Sequence, residues 1–582
     1  MYEKPKPVLR VAVIGAGASG LAAIKCCLDE SLVPTCFEKS DGIGGLWRFD
    51  EKPTPGRAGV YRSTTINTSK ELLAYSTFPP PADFPNFMHH SKLYQYMKLY
   101  AEEYGLKRCI QFNIEVISVE KTVNFDKNDQ WNVTTKTWNS KEQREMERTE
   151  VFDAVMVCTG HHAYPNNPAE NIHGYETFQG RVTHGHDYRD HKPFENRRVM
   201  VVGLGNTGGD LAAELSRHST KTYLSTRRGA WVINRIAHRG LPYDCEVVTR
   251  LFKYLMNITP SSTLNWFYEK KMTDRFDHEL YGLKPKHRIM SQHPLVNDEL
   301  PARIANGTVT VVPDVSHFKH NGIVTSDGIL QEVDDVIFAT GYIIKFPFLS
   351  NDVITVEDNN NLSPLYKHVF PIPDTEHPTI ALIGNVQPVG GLMPIAEMQS
   401  RWATRVFKGI CKLPSKAEMQ KEIDDKKRSL QRRYVNSKRH TIQVDYMDYI
   451  DEIASEIGAS PNIAKLFISD PILAWHVLNG PASAYQFRLQ GPGTWNGARH
   501  AIVTQWQRIH EGYGRKVPAK PNSQSQFCKD FKPTRDRTLL VDKSPSEGQI
   551  SFKKSINTAS IFDLIFIIIM LMSATLIFAF PL

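Results

Sequence analysis

The sequence predicts an α/β protein with two doubly wound parallel sheets, the second inserted into the first, followed by an apolar C-terminal helix. Three observations lead to this prediction. A glycine-rich turn joins a strand to a helix near residue 15, and a turn of the same design follows near residue 203. Two later strands each end in Thr-Gly, at 159–160 and 340–341. Strands that alternate with helices are typical of parallel sheets, because a parallel pair needs a long crossover connection.

The first glycine turn follows the apolar strand 11–14 and precedes a predicted helix at 21–28 and a second strand at 35–37. In such a Rossmann-like unit the first glycine allows the tight turn, the second admits a pyrophosphate and the third lets the helix pack on its strand. The helix N-terminus binds the phosphates. Glu38 then ends the second strand, where a carboxylate accepts hydrogen bonds from both ribose hydroxyls and disfavours a 2′-phosphate. The turn consists of Gly15, Ala16, Gly17, Ala18, Ser19 and Gly20. FAD is the predicted ligand of this unit.

The second turn follows a strand at 198–202 and precedes a predicted helix at 211–217. Its second strand, 222–225, ends in Thr226-Arg227-Arg228 where the first copy ended in an acid. An arginine at this point suits the extra phosphate of NADP, and Arg227 with Thr226 is the predicted contact. The other predicted contacts in this unit are Gly203, Gly205, Thr207, Gly208, Gly209 and Asp210. NADPH is therefore the predicted second cofactor.

Two further segments of the first unit carry candidate contacts. The glycine-rich loop 41–47 ends in Leu46-Trp47 and would let the backbone lie against the flavin edge; a surface turn capped by a core tryptophan is the alternative. Ile66-Asn67-Thr68 lies at a strand-to-loop junction, which by itself can be a simple turn. A helix is predicted at 91–104.

The order of motifs predicts that the second dinucleotide domain interrupts the first. Strand 151–157 ends in Cys158-Thr159-Gly160, and strand 335–337 is followed by Phe338-Ala339-Thr340-Gly341-Tyr342. A strand that ends in a small residue and glycine is where a dinucleotide fold returns to its cofactor. The predicted domains are the first part of the FAD domain at 1–175, the NADPH domain at 176–335 with a helical insertion around 235–295, and the return part of the FAD domain with C-terminal helices at 336–516.

Composition excludes several other classes of protein. The formal charge of +8 is modest and spread along the chain, so nucleic acid is not an expected partner. The eight cysteines form no C-x-x-C pair, which fits a reducing compartment and excludes a cysteine zinc site. His278, His287 and His293 lack the spacing of metal ligands, so no metal site is predicted.

The C-terminus carries the predicted membrane segment. Residues 564–580 are apolar except for Ser573 and Thr575, a length at the short end of the roughly 17 to 25 residues that cross a bilayer. A buried core helix is the alternative. Residues 517–560 read as a polar linker, and 561–582 as the anchor. No apolar run precedes the first strand, so no secretory signal is expected. Lys553 and Lys554 favour a body on the cytosolic side.

Between the two glycine turns, residues 178–188 read F-x-G-x-x-x-H-x-x-x-Y. This pattern resembles the identifying motif of flavin-containing monooxygenases, in particular the animal, membrane-anchored dimethylaniline monooxygenase type. Baeyer–Villiger enzymes typically carry a tryptophan where Tyr188 stands. The resemblance extends over nearly the whole chain, through segments 38–47, 67–71, 225–231, 338–342, 384–402 and the apolar tail.

The resemblance assigns roles to residues of this sequence. The residues that match the family's FAD contacts are Gly15, Ala16, Gly17, Ala18, Ser19, Glu38, Leu46, Trp47, Asn67 and Thr68. Those that match its NADP contacts are Ile66, Asn67 and 207–210. Asn67 is the predicted catalytic residue, because its amide would hydrogen-bond and shield the oxygenated flavin. This chain departs from the family at Thr207, where many members have serine.

The resemblance also implies an activity. NADPH reduces FAD, oxygen adds to the flavin at C4a, and the hydroperoxide oxygenates a soft nitrogen or sulfur nucleophile such as a xenobiotic amine or sulfide. Two enzymatic alternatives are Baeyer–Villiger oxygenation of ketones and an uncoupled NADPH oxidase that releases hydrogen peroxide. A non-enzymatic alternative is a membrane-tethered dinucleotide sensor. The implied partners are a small-molecule substrate, O2 and the endoplasmic reticulum membrane. The oligomeric state, including a homo-oligomer, is left open.

Overall fold

The computed structural model describes residues 8–139, 144–357, 360–362, 364–372, 378–433 and 441–514. The chain divides into two compact units, Met1–Arg515 and Lys516–Leu582, and the described residues belong to the first. The predicted linker and anchor, 517–582, lie outside them. Within the described ranges, no helix combines the length and the apolar character that crossing a bilayer requires.

The first sheet has five parallel strands. Their spatial order is Ile380–Leu382, Ala154–Val157, Arg10–Ile14, Val33–Glu38 and Ile110–Phe112. The central strand is buried from Val11 to Ile14, as its continuous apolar run predicts. Because strand Ile380–Leu382 comes from far along the chain, the sequence returns to the first domain only after it has passed through the second.

The second sheet also has five parallel strands, and all of them lie between the two parts of the first sheet in sequence. Their spatial order is Val309–Val312, Lys221–Ser225, Arg198–Val202, Asp335–Phe338 and Arg181–His184. The prediction of two Rossmann-like parallel sheets, one inserted in the other, is confirmed.

The two fingerprint helices, which are the helices that follow the two glycine turns, begin inside those turns, earlier than the sequence predicts. The first helix spans Ala18–Asp29 and the second Asn206–Leu215, with Gly17 and Gly205 as their N-caps. The apolar pattern marks only the part of each helix that packs on the sheet, so it misses the first turn. The first-turn N–H groups of each helix, which have no acceptor within the helix, therefore belong to the glycine turn itself.

The predicted strand 151–157 is wrong, because it joins two strands of different sheets. Arg144–Phe152 pairs antiparallel with Trp131–Asn139, which in turn pairs with Glu115–Lys121. Ala154–Val157 belongs to the first parallel sheet. The break falls at Asp153, whose Oδ2 accepts a 2.7 Å hydrogen bond from the backbone N–H of Arg10. Val151 and Phe152 are apolar like the strand that follows, so periodicity alone could not separate the two.

Helices surround the two sheets. In the first domain, His90–Glu103 confirms the helix predicted at 91–104, and Lys70–Leu73 and Phe125–Asn128 are short. Helices within and after the insertion are Tyr243–Val247, Arg250–Ile258, Ser261–Arg275 and Leu300–Ala305. The C-terminal helices are Leu392–Phe407, Lys416–Arg433, Tyr446–Glu456, Ile463–Ser469, Pro471–Asn479, Ala498–Val503 and Gln505–Glu511.

The smaller strands complete the two domains. A three-stranded antiparallel sheet contains Val315–Lys319, Gly322–Thr325 and Leu330–Glu332. The remaining pairs are Val232–Ile233 with Leu295–Val296, Tyr342–Ile343 with Tyr164–Pro165, Val356–Glu357 with Asn361–Leu362, Leu365–Tyr366 with Phe370–Pro371, and Gln387–Pro388 with Gln443–Val444.

A buried ion pair ties the C-terminal helices to the first domain. Glu397, on helix Leu392–Phe407, accepts a 2.8 Å hydrogen bond from Arg488 and bonds of 2.6 and 2.7 Å from the N–H and hydroxyl of Ser76. Both charged side chains are almost fully buried. Since removing one partner would leave an uncompensated buried charge, this contact fixes how the helices sit on the sheet.

Candidate functional site

A cavity of about 680 Å³ lies at the carboxyl ends of both parallel sheets. Ligands of doubly wound sheets bind at this edge. The cavity receives walls from both glycine turns, from the loop 44–47, and from the segment that follows each Thr-Gly strand end. Of the residues predicted from sequence, those that line it are Gly15, Gly17, Ala18, Ser19, Glu38, Leu46, Trp47, Ile66, Asn67, Thr68, Gly205, Thr207 and Asp210. Seven of the predicted residues lie outside the lining: Ala16, Gly20, Gly203, Gly208, Gly209, Thr226 and Arg227.

Four of these seven residues are glycines that shape the turns from behind. A Cβ on Gly20 would lie 1.8 Å from the carbonyl oxygen of Gly15, and one on Gly208 would lie 1.9 Å from that of Gly203. Both distances are far inside contact range, so each fingerprint helix can approach its strand only without a side chain there. Gly203 itself has a φ of +109°, as Gly15 has one of +99°, which favours glycine at the start of each turn. Gly209 faces Leu295, whose Cδ1 would lie 2.9 Å from an added Cβ.

Gly17 differs from Gly20, because the protein itself leaves room for a side chain there. An added Cβ would meet its nearest atom, the Cα of Gly45, at 3.6 Å, which is ordinary contact. The loop that contains Gly45 is fixed on the turn by a 3.0 Å hydrogen bond from the Gly44 N–H to the Ala16 carbonyl. This open cradle beside a helix N-terminus fits the pyrophosphate of FAD, for which the second glycine is expected to leave space.

Glu38 is buried and stabilises the first turn. Its Oε2 accepts a 2.8 Å hydrogen bond from the Ala16 N–H, and its Oε1 accepts bonds of 2.9 and 2.7 Å from the N–H and hydroxyl of Ser40. A carboxylate offers about four acceptor positions, so roughly one remains for a ribose hydroxyl. Glu38 therefore shapes the turn as well as facing the cavity.

In the second turn, Asp210 bridges the two domains. Its Oδ2 accepts a 2.6 Å hydrogen bond from the Tyr61 hydroxyl, and its Oδ1 accepts a 2.7 Å bond from the Asn297 side-chain amide. Burial raises the pKa of Asp210 above its usual range, while these donors lower it. Both oxygens are engaged within the protein, so Asp210 supports the turn that Thr207 and Gly205 present to the cavity.

Thr226 and Arg227 lie at the end of strand Lys221–Ser225, beyond the cavity lining. The Thr226 hydroxyl accepts a 3.1 Å hydrogen bond from the Gly229 N–H, and Arg227 and Arg228 are exposed. Two exposed guanidinium groups at a strand end suit a phosphate that projects out of the cavity.

Asn67 lines the cavity, and its side chain is held by a residue that the sequence did not single out. Its Oδ1 accepts a 2.7 Å hydrogen bond from Nη2 of Arg235. Two residues on, the Ser69 N–H donates to Asp244 at 2.6 Å, and the Ser69 hydroxyl lies 3.1 Å from the Cys245 thiol. Arg235 precedes the insertion helices and Asp244 lies on the first of them, Tyr243–Val247, so the insertion fixes the segment that carries Asn67. No local pattern marks either residue.

Four histidines also line the cavity: His161, His162, His184 and His293. Burial lowers the pKa of His162 and of His184 to about 4, and it lowers that of His161 well below its usual range. At neutral pH these three imidazoles are uncharged. His161 and His162 were not predicted, although their position directly after the Thr-Gly strand end is a sequence signal for them. His293 was considered only as a metal ligand.

The motif F-x-G-x-x-x-H-x-x-x-Y joins the domains. His184 lines the cavity, and Nε2 of His186 lies 2.8 Å from the carbonyl oxygen of Arg57 in the first domain. Tyr188 is buried with its ring edge-on to Tyr61 at 5.9 Å. A Cβ on Gly180 would lie 2.5 Å from the Asp334 carbonyl oxygen, so only glycine fits there. The motif is therefore a structural joint that brings one histidine to the cavity.

The other two histidines considered as metal ligands have structural contacts. Nε2 of His278 accepts a 3.1 Å hydrogen bond from the Val232 N–H, and the His287 carbonyl accepts one of 3.1 Å from the Trp231 indole. Within the described ranges, His191, Glu195 and His218 form a cluster that the sequence did not suggest. The two imidazoles stack at 3.6 Å with planes 15° apart, so their in-plane lone pairs lie in two separate, nearly parallel planes. Metal ligands must converge on one point, and this arrangement does not.

Comparison with known proteins agrees with this geometry. The sequence model of the family described as flavin-binding monooxygenase-like matches residues 8–533. Flavin-containing monooxygenase 5 of Rattus norvegicus is 48% identical over 515 residues, which cover 88% of this chain and 95% of that relative. Dimethylaniline monooxygenase 2 of Mus musculus, described as N-oxide-forming, is 46% identical over 501 residues, which cover 86% of this chain and 92% of that relative.

Solved structures share the fold at lower identity. The S-allyl-L-cysteine S-oxygenase of Allium sativum has a TM-score of 0.57 and 24% identity, with 80% of this chain and 94% of that chain covered. A cyclohexanone monooxygenase of Rhodococcus sp. Phi1, bound to NADP+, has a TM-score of 0.55 and 16% identity, with 78% and 98% covered. At these identities the similarity concerns the fold.

Proposed function

The chain belongs to the flavin-binding monooxygenase-like family, and we propose that it oxygenates soft nitrogen or sulfur nucleophiles of small molecules with NADPH and O2 as co-substrates. It is a flavin-containing monooxygenase, and its cofactors are FAD and NADPH. We also propose that Asn67 is the catalytic residue and that the chain attaches to a membrane.

One observation carries the proposal: a single cavity is lined by both glycine turns and by Asn67. FAD bound at the first turn and NADPH bound at the second would share this one cavity. When bound, FAD supplies hydride acceptance from NADPH and the activation of O2 for transfer of one oxygen atom. The protein's task is then to place both dinucleotides and keep the space dry.

The chain's own residues suit that task. The first-turn backbone at Gly17 leaves room for a pyrophosphate, and the arginines after Ser225 suit a 2′-phosphate. His162 and His184 are uncharged at neutral pH and so do not act as strong proton donors beside the flavin. Asn67 offers the cavity one side-chain amide.

A soft nucleophile is the substrate class that such a site serves with the fewest protein groups. Oxygen transfer to an amine or sulfide needs no protein nucleophile or general base, since the cofactor carries the reactive chemistry. The relative of Mus musculus that is described as N-oxide-forming supports nitrogen as one target. The polar linker and apolar tail at 517–582 support attachment to the endoplasmic reticulum membrane, with the body on the cytosolic side.

The test compares NADPH consumed with oxygenated product and peroxide formed, using the purified full chain with a tertiary amine, a sulfide and a ketone. The proposal expects a yellow protein that NADPH bleaches without oxygen, and product close to one per NADPH with the amine or sulfide. Product from the ketone alone would instead indicate Baeyer–Villiger oxygenation. Peroxide with every substrate would indicate an oxidase. Nucleotide binding without bleaching would indicate a sensor.

The role of Asn67 is tested by Asn67→Ala. This variant should keep its flavin while the product per NADPH falls and peroxide rises. Full coupling in Asn67→Ala would contradict the role while leaving the monooxygenase activity itself intact.

A further inference from the structure

Arg235 contacts Asn67 from outside the cavity. Its Nη2 donates a 2.7 Å hydrogen bond to Oδ1 of Asn67, and its Nη1 donates a 2.8 Å bond to Oδ2 of Asp298. Its backbone N–H donates to the other oxygen of Asp298 at 2.9 Å. The Arg235 side chain is 13% exposed, and Arg235 is not among the residues that line the cavity. It therefore stands behind Asn67 as seen from the cofactor space.

This contact decides which end of the Asn67 amide is available. A guanidinium group only donates hydrogen bonds, so the Asn67 atom that it contacts must be the oxygen. Oxygen and nitrogen of an amide are otherwise hard to distinguish by shape. With Oδ1 engaged by Arg235, the polar group that remains for the cavity is the Nδ2 donor.

The Arg235 guanidinium group binds Asp298 as well as Asn67, and the chain next to Asp298 is itself fixed by further contacts. Asp298 follows Asn297, whose N–H donates a 2.9 Å hydrogen bond to the Ile233 carbonyl and whose side chain donates to Asp210. The same Asp210 accepts from Tyr61. A continuous set of polar contacts thus runs from the first domain through the second and back to Asn67. The planar fork of arginine can serve Asp298 and Asn67 at once, which the single ammonium of lysine cannot do in the same geometry.

We infer that Arg235 is a positioning residue, which fixes the Asn67 amide so that Nδ2 is presented to the bound nicotinamide and flavin. The inference rests on the function proposed above. It assigns to the NADPH domain a direct part in orienting a group of the FAD domain, so that the donor is in place only when the two domains are packed together.

A double-mutant cycle tests the inference on flavin-loaded protein. The variants are Asn67→Ala, Arg235→Met and the pair, and the first readout is the Kd of NADP+ from the change in flavin absorbance. If Arg235 acts through Asn67, each single variant should raise the Kd about tenfold, the equivalent of one lost hydrogen bond from the Asn67 amide to the nucleotide, and the pair should raise it by about the same factor. The second readout, peroxide per NADPH, should rise equally in all three.

Two further variants complete the design. Arg235→Lys keeps the charge and one donor nitrogen, so its Kd and its peroxide yield should lie between those of wild type and Arg235→Met. It replaces Arg235→Met in the test if that variant fails to fold. Arg217→Met is the matched control. Arg217 lies just beyond the C-terminal end of the second fingerprint helix, and its side chain is 42% exposed and pairs with Glu299, the neighbour of Asp298. This variant should match wild type in both readouts.

A Kd of NADP+ raised about a hundredfold in the double variant would overturn the inference, because the free-energy effects of independent sites add. Wild-type values in Arg235→Met would also overturn it. Failure of the proposed function would look different: the wild type would form no oxygenated product from amine or sulfide. The NADP+ binding cycle would still decide the role of Arg235 in that case.

Discussion

The Tyr61 hydroxyl donates a 2.6 Å hydrogen bond to Oδ2 of Asp210, which joins a loop of the first domain to the helix of the second glycine turn. Asn297 donates to the other carboxylate oxygen at 2.7 Å. Asp210 was predicted as a contact of NADP, and it lines the cavity. The structure adds that this half-buried carboxylate joins the two domains, so its substitution would disturb both the turn and the domain packing.

Tyr61→Phe should weaken this joint without changing the shape of the ring. The variant leaves a half-buried carboxylate oxygen without its donor, so the free energy of unfolding should fall by about 1 kcal/mol. Urea denaturation measures this change. Tyr175→Phe is the control, since the Tyr175 ring packs edge-on against Phe318 at 5.7 Å and should lose little stability. Equal stability of Tyr61→Phe and wild type would show that the hydrogen bond contributes nothing net.

Gly17→Ala and Gly20→Ala should fail at different stages. At Gly20 an added Cβ would lie 1.8 Å from the Gly15 carbonyl oxygen, so Gly20→Ala should destabilise the protein even without flavin. At Gly17 the nearest atom is 3.6 Å away and φ is −76°, so Gly17→Ala should fold normally. The effect of Gly17→Ala should appear only when FAD binds, as an FAD affinity reduced about tenfold or more. Unfolding of the deflavinated variants and FAD titration separate the two, and normal FAD affinity in Gly17→Ala would exclude phosphate binding at this turn.

Arg227→Ala should raise the KM for NADPH about tenfold or more, the loss of one phosphate contact. The KM for NADH, which lacks the 2′-phosphate, should stay unchanged. Arg228→Ala is the natural comparison, because Arg228 is the neighbouring exposed arginine. If Arg228→Ala alone alters the preference for NADPH over NADH, the phosphate contact has been assigned to the wrong arginine.

Stability should fall on acidification because His184 is buried and uncharged. Its pKa in the folded state is lowered to about 4, below the unfolded value of about 6.5. Between these values the unfolded chain binds more protons, so this group's contribution is present above the unfolded pKa and is lost as pH falls. The slope is at most about 1.4 kcal/mol per pH unit for one histidine.

Urea unfolding of wild type and His184→Gln at pH 7.5, 6.5 and 5.5 measures that contribution. The variant should show a smaller loss between pH 6.5 and 5.5. His317→Gln is the control, because His317 is half-buried on a strand of the small antiparallel sheet. An identical pH dependence in wild type and His184→Gln would contradict the lowered pKa.

Deleting residues 517–582 should release the protein from the membrane pellet while NADPH-dependent oxygenation is retained. The physical reason is that 564–580 holds the long apolar run, whereas the cavity is lined by residues up to Gln443. Deleting only 561–582 controls for the polar linker and should have the same effect. Continued sedimentation of the shorter chain with membranes would show that other surfaces contribute.

The sequence determined the parts of this protein that depend on neighbours in the chain. A glycine at positions 15, 17 and 20, between an apolar strand and a helix, has one good structural explanation, and the same pattern near residue 203 repeated it. The two parallel sheets and the family were therefore predicted correctly. The contacts proposed for single residues, including Asn67, remain predictions.

Only the tertiary structure decided which groups meet across the two domains. Arg235 reaches Asn67, Asp210 accepts from Tyr61 and Asn297, and four histidines from three distant segments line one cavity. The physical reason is that hydrogen bonds between distant segments depend on how the two sheets pack, and neither periodicity nor motif spacing records that packing. The same limit explains why the run 151–157 was read as one strand: local apolar character marks a strand but does not say which sheet it joins.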